Sequence, residues 1–251
     1  MILEKYIDVF NKLSKLEREV LILHIDSILK DAWGEFPRDF IEKHVLKSEK
    51  IILAKEAGEF TGFCCLSTKN VFGKKIDYIE FLVVKKKFQN KNIGSKLLEF
   101  AIRDQVLKSL VKMLFSPLEL MFITPNMRVL TWTAKFAKFA YPNPYLSDSR
   151  GKISPADETT WKMAQDLIKQ SDSPNRVIHR DGLVLEGSYQ NTPWLIYDID
   201  NIPWSGHNDS RIEAFTKKYL DYESRGGREF VVRVQIGLFS IIKYFISLIL
   251  K

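Results

Sequence analysis

Residues 81–101, FLVVKKKFQNKNIGSKLLEFA, change character twice: an apolar run at Phe81-Leu82-Val83-Val84, a basic polar turn, then an amphipathic pattern from near Ile93. A strand that ends in such a turn and enters a helix makes an anion site. The first amides of the helix lack intrahelical acceptors, and the helix dipole places partial positive charge at the same end. A phosphate meets both conditions. The turn must also let successive N–H groups converge on the anion. Gly94 removes a side chain where a ligand would approach the backbone, and Asn92 tolerates left-handed geometry better than most residues other than glycine. Lys85, Lys86, Lys87, Lys91 and Lys96 add positive potential. This chemistry suits the grip of a pyrophosphate.

The elements that must position this loop follow from periodicity. Residues 2–13 read as a short amphipathic helix, with Ile2, Leu3, Tyr6, Ile7, Val9 and Phe10 largely on one face. Ser14 with Glu17 forms a capping-box pattern for a second helix, and Pro37 suits the first turn of a third. The period then changes. Residues 50–56 and 59–68 are β-compatible runs joined through Ala57-Gly58, which predicts a hairpin. A turn at 71–75 leads to a strand over 76–84, the basic loop, and a helix from Ile93 to about Val111. Residues 118–124 read as a strand and 126–140 as a helix. Helices followed by β-β-β-α-β-α predict an α+β or mixed α/β fold, with helices on a partly antiparallel sheet. After Tyr145 the pattern loosens into a polar loop. Asp157 precedes a helix to about Gln170, strands are expected around 176–180, 183–189 and 194–199, and a helix over 208–225 has Asn208, Asp209 or Ser210 as its cap. Residues 228–236 close the series as a strand. We therefore expect two domains, 1–145 and 146–251.

Bulk properties bound the function classes. Hydrophobic residues at 45% and charged residues at 27% describe a globular chain rather than a disordered one. A formal charge of +7 admits a phosphate-rich cofactor, an anionic membrane surface or a nucleic acid. No nucleic-acid motif is present and a cofactor phosphate accounts for the lysines, so nucleic acid is an unlikely partner. The two cysteines, Cys64 and Cys65, are neighbours that cannot easily bridge one another. There is no disulfide framework, no Cys/His zinc spacing and no signal-peptide core, which points to a cytoplasmic protein without a metal. His24 and His44 are read as structural.

Position by position, residues 81–101 resemble the GNAT superfamily of acyl-coenzyme A-dependent N-acyltransferases. That family has a strand ending in an L-x-V-like triplet, then Q/R-x-x-G-x-G/A, then a helix. Here Gln89-Asn90-Lys91-Asn92-Ile93-Gly94 gives Q-x-x-N-x-G, with asparagine in place of the first glycine. The hairpin before it and LELMFIT followed by NMRVL extend the resemblance over roughly residues 15–140. It implies a central, partly antiparallel sheet whose fourth and fifth strands splay into a V-shaped cleft. There the pantetheine of acetyl-CoA, or of another acyl-CoA, lies like an extra strand. It implies that the amides of Gln89, Asn90, Lys91, Asn92, Ile93, Gly94 and Ser95 hold the pyrophosphate. Leu82, Val83 and Val84 would present backbone to the pantetheine, and a strand amide near Val83 would polarise the thioester. Glu80, just before the triplet, is the implied general base, with Asp77 in reserve. Asn126 matches the start of the family's N-x-x-A-x-x-x-Y-like pattern. No tyrosine aligns without a gap at its end, where this chain reads Thr131-Trp132-Thr133, and Tyr141 is the nearest substitute as general acid. The expected activity is acyl transfer to an amine-bearing acceptor; the alternative is a non-catalytic acyl-CoA-binding module whose C-terminal region contacts a partner or membrane.

Residues 146–251 fall outside the resemblance. The aromatic turns near Trp194, Tyr197, Trp204 and His207 could line an acceptor pocket. From Ile236 to Leu250 nearly every residue is apolar. As a helix this stretch is about 22 Å long, too short to span a bilayer comfortably. Three readings stand: a buried helix, a homodimer contact, or a peripheral membrane anchor.

Overall fold

A computed structural model of the chain describes residues 1–46, 48–171, 175–187, 209–220 and 227–241. The fold is mixed α/β, with mostly antiparallel strand pairings flanked by helices. It divides into two compact units. The first holds residues 1–69 and 77–109; the second holds residues 70–76 and most of the chain from 110 onward.

In the first unit, β1 (Ile2–Ile7), a single turn α1 (Val9–Lys12), α2 (Lys15–Ala32) and α3 (Arg38–Ile41) lead through a π-helical turn at Glu42–Leu46 into β2 (Lys50–Glu56). Then come β3 (Glu59–Val71), β4 (Lys74–Val84) and α4 (Ile93–Met113), with strand order β1-β2-β3-β4. The expected helix over 2–13 is corrected. Ile2–Ile7 is a strand paired antiparallel with β2, from Ile2 opposite Lys55 to Ile7 opposite Lys50. The apolar spacing fits either period over so short a run, and pairing covers an edge of β2 that would otherwise expose its backbone groups. Asp8, at φ 53°, ends the strand.

The capping box of α2 is formed: the Glu17 amide donates to Ser14 Oγ at 3.3 Å and the Ser14 amide donates to Glu17 Oε2 at 2.8 Å. The buried face of α2, with Leu21, Ile22, Ile25, Ile28 and Leu29, packs on Ile51, Leu53, Phe63, Cys65 and Val83. The β2–β3 turn places Ala57 at φ 50° and Gly58 at φ 84°. That left-handed pair matches the twist of a hairpin.

In the second unit, β9 (Arg228–Ile236) is central. It pairs antiparallel with β5 (Leu118–Thr124), β6 (Phe139–Tyr141) and β8 (Val184–Glu186), and β8 pairs with β7 (Ile178–His179). Helices α5 (Met127–Phe136), α6 (Glu158–Lys169) and α7 (Ser210–Tyr219) complete it. Asp157 caps α6 by accepting from the Thr160 amide, and Asp209 caps α7 by accepting from that of Arg211. The helix expected over 126–140 stops at Phe136, because residues 139–141 gain a ladder with β9. Arg233 is buried in β9. Its guanidinium holds both carboxylate oxygens of Glu119 and donates to Thr160 Oγ1. A buried guanidinium demands that kind of pairing. The strand expected at 194–199 and the aromatic candidates Trp194, Tyr197, Trp204 and His207 lie outside the described residues. So does residue 242 onward of the apolar C-terminal stretch, whose first residue, Ile236, belongs to β9. Among the described residues, no helix is long and apolar enough to cross a membrane.

Candidate functional site

After Val84 the chain makes a 3-10 turn at Lys86–Phe88 and enters α4 at Ile93. Its start is pinned by β3: the Lys85 amide donates to the Thr61 carbonyl at 2.9 Å. Gln89 Nε2 donates back to the Val84 carbonyl at 3.1 Å, closing the loop on itself. Asn90 and Asn92 adopt φ 66° and 61°. Two left-handed residues in a four-residue span turn the backbone sharply into the helix, and asparagine is the non-glycine residue that accepts this most readily.

The first intrahelical bond of α4 runs from the Lys96 amide to the Asn92 carbonyl at 3.0 Å. The amides of Ile93, Gly94 and Ser95 precede it, and among the described residues no protein group accepts from them. Helix geometry requires those three donors to look outward along the axis. Gly94 has ordinary helical φ, and a Cβ there would meet only Val84 Cγ2 at 3.6 Å. The glycine thus leaves open space beside the donors rather than relieving strain.

The expectation that all five loop lysines add free positive potential is corrected for two of them. Lys85 and Lys87 both bind Glu59 at the start of β3, at 3.0 and 2.8 Å. Hydrogen bonds from Lys87 and Lys85 hold the Glu59 carboxyl below its ordinary range. Lys91 instead lies over the Phe88 ring at 4.9 Å.

Leu82, Val83 and Val84 end β4 beside Gly62 of β3. A Cβ at Gly62 would come within 2.7 Å of the Val83 carbonyl oxygen, so only glycine permits that approach. Just upstream, Glu80 Oε1 accepts from Ser67 Oγ at 2.6 Å and pairs with Lys69 Nζ at 3.3 Å. Both contacts fall on one oxygen, and the side chain is 17% exposed. Phe81 packs toward Phe63, with ring centroids 6.2 Å apart. Phe63 and Ser67 of β3 thus meet the neighbouring residues Phe81 and Glu80 of β4. Sequence reading missed Ser67 and Lys69. Their chemistry depends on cross-strand register, for which no local motif exists.

Asp77 is buried and accepts from Gln105 of α4. In the second unit, Asn126 is the α5 cap, its Oδ1 accepting from the Arg128 amide at 2.9 Å. The Tyr141 hydroxyl donates to the Ser154 carbonyl at 3.0 Å and accepts from the Gly182 amide at 3.1 Å. Burial pushes it up to about 12, against the opposing pull of the Gly182 amide. Cys64 and Cys65 are free and buried, and burial raises both thiols. His24 packs at a tilt against Phe60 and His44 against Phe40, at 4.3 and 4.4 Å between ring centroids.

Part of the chain is similar to proteins already known. Residues 22–114 match the sequence model of the Acetyltransferase (GNAT) family, so a GNAT acetyltransferase domain lies in that part of the chain. Among curated proteins none matches the chain. Solved structures that resemble it include an aminoglycoside 6'-N-acetyltransferase from Enterococcus faecium, at 16% identity and a TM-score of 0.37 over 49% of this chain and 61% of that one. The GNAT family N-acetyltransferase YhbS from Escherichia coli, in complex with CoA, is similar at 12% identity and a TM-score of 0.35 over 49% and 62%. A ribosomal-protein-alanine N-acetyltransferase from Brucella melitensis is similar at 15% identity and a TM-score of 0.31 over 43% and 73%. In the first two, the matched part is under two thirds of the neighbour's length.

Proposed function

We propose that this protein is an acyl-CoA-dependent N-acyltransferase, acetyl-CoA being the donor expected first, that modifies an amine-bearing acceptor. The observation that carries the reading is the set of three amides at Ile93, Gly94 and Ser95 that have no acceptor among the described residues, in a segment matching an acetyltransferase family. Those residues fit a diphosphate: donors, dipole and open space coincide, and Gly94 leaves the approach clear. Gln89 to Asn92 shape the turn, and Leu82 to Val84 offer strand backbone to the pantetheine. When bound, an acyl-CoA supplies the activated thioester carbonyl.

The residues of the chain then handle the acceptor's proton. Glu80 is the assigned base. Ser67 and Lys69 hold its Oε1, so Oε2 would take the proton from the amine as the C–N bond forms, the C–S bond breaks and CoA leaves as the thiolate with the bonding pair. Asp77 is a poorer choice because it is buried against Gln105. Tyr141 is read as a structural residue rather than an acid, since its hydroxyl proton is already donated to Ser154. Asn126 is likewise read as a helix cap.

Calorimetric titration of the native protein and of Gly94→Glu with CoA and acetyl-CoA tests this. A glutamate in the first turn favours the helix dipole and leaves the fold intact, while its carboxylate repels the diphosphate. Native binding in the micromolar range with a loss of about 100-fold or more in the variant is the expected result. Equal binding by both removes the assigned loop. Given a competent acceptor, Glu80→Gln lowers turnover about 100-fold with CoA affinity unchanged.

A further inference from the structure

Among the described residues, the second unit gathers exposed apolar side chains at one end of β9. The register Leu118 opposite Ile236 sets the start of β5 beside the end of β9. Directly before β5 come the last turn of α4 and the turn that follows it. There Met113 is buried, while Val111, Leu114 and Phe115 are 75%, 64% and 88% exposed. Directly after β9, residues 238–241 turn helical and Phe239 is 86% exposed. On the other side of β9, the Lys138 amide donates to the Gln235 carbonyl at 2.8 Å and the Lys138 side chain lies 3.2 Å from where a Cβ of Gly237 would stand. The residues just before Leu118, Lys138 with its β6 neighbours, and residues 236–241 thus lie together at one end of β9.

Their charges are of a single sign. Residues 110–117, 132–140 and 236–241 contain Lys112, Lys135 and Lys138 and not one Asp or Glu. Large exposed aromatics and aliphatics beside exposed lysines, with the Glu119 carboxylate of β5 held by Arg233 and Gln235, match the interfacial zone of an anionic bilayer. There apolar side chains reach the acyl boundary while lysines lie among the headgroups.

We propose that this end of β9 is a peripheral membrane-binding surface that takes anionic phospholipid, with Leu114, Phe115 and Phe239 entering the interface and Lys112 and Lys138 contacting headgroup phosphates. The proposal does not rest on the acyl-transfer reading. The test uses the full chain and vesicles of phosphatidylcholine, with or without about one-quarter phosphatidylglycerol, in a co-sedimentation assay. Binding to the anionic vesicles is expected, falling on the order of tenfold in Leu114→Asp/Phe115→Asp. Lys112→Glu/Lys138→Glu should abolish the preference for anionic over neutral vesicles. All four positions are exposed, so folding is unaffected; an unchanged urea midpoint and unchanged CoA titration verify that in each variant. No sedimentation with anionic vesicles, or sedimentation insensitive to Leu114→Asp/Phe115→Asp, overturns the proposal. So does a concentration-dependent dimer that those substitutions dissolve in the absence of lipid binding.

Discussion

Two lysine-rich regions of the first unit treat positive charge in opposite ways. Around Asp104 in α4, Lys5 and Lys50 bind the carboxylate at 2.9 and 2.5 Å and Lys108 stands 3.4 Å away. Every cation there has its partner inside the fold, and Lys50 is nearly buried. In the loop before α4, Lys85 and Lys87 are likewise neutralised by Glu59, but among the described residues the amides of Ile93, Gly94 and Ser95 have no acceptor. A basic cluster is therefore not in itself a site. What distinguishes the second region is unmet hydrogen-bonding capacity that the fold points outward, and most of it is main chain rather than lysine.

The largest effect that would sharpen this contrast is on stability. Replacing Asp104 with Asn removes the counter-charge from Lys50 and leaves an uncompensated, nearly buried cation, which costs about 3 kcal/mol. Urea denaturation measures that loss. CoA affinity, read by calorimetry where the variant is folded, should stay within about twofold, since the amides of the loop are untouched. A strong fall in CoA affinity at full folding would show that the two regions are not separable.

Acid should act on the same pair. Burial raises the Asp104 carboxyl, but hydrogen bonds from Lys50 and Lys5 and the charges of Lys50 and Lys108 outweigh it and hold the group well below the usual carboxylate range. The unfolded chain therefore takes up the proton first. The stabilisation is complete above the unfolded value of about 4 and is lost as pH falls toward the folded one. Urea midpoints measured from neutral to acid pH should converge for the native protein and Asp104→Asn. A constant gap between them would remove Asp104 from the account.

The same contrast explains what could be read from the chain alone. The Ser14–Glu17 capping box, the Ala57-Gly58 turn and the Asp157 cap all use contacts a few residues apart, so their signals are local. The loop was legible for the same reason: an apolar strand, two asparagines, a glycine and an amphipathic run lie in one continuous stretch. Glu59 binding Lys85 and Lys87 spans 26 and 28 residues, and Ser67 holding Glu80 spans 13. Register across strands decides those pairs, and register is set by the whole sheet. Residues 2–7 failed locally: six residues are too few to separate a period of 3.6 from one of 2, and the neighbouring edge of β2 decides. Residues 139–141 left the expected helix for the same kind of reason, a ladder offered by β9 nearly a hundred residues later.

The smallest effect tests the contrast most finely, because it asks which lysines in the loop still act at a distance. Among the described residues, no carboxylate lies within ion-pair distance of Lys91 or Lys96. Their charges add to the potential that a diphosphate meets at the amides of α4. Lys87 carries the same charge two residues before Gln89, but Glu59 cancels it at short range. Lys91→Met/Lys96→Met should therefore weaken CoA binding about threefold in low salt, an effect that fades as ionic strength rises. Lys87→Met should change it by less, because the variant leaves Glu59 with Lys85 still in place. Calorimetry on both variants at two salt concentrations separates them. Equal losses from both would mean that net charge governs the site; the predicted ranking would mean that pairing within the fold decides which cations a ligand can feel.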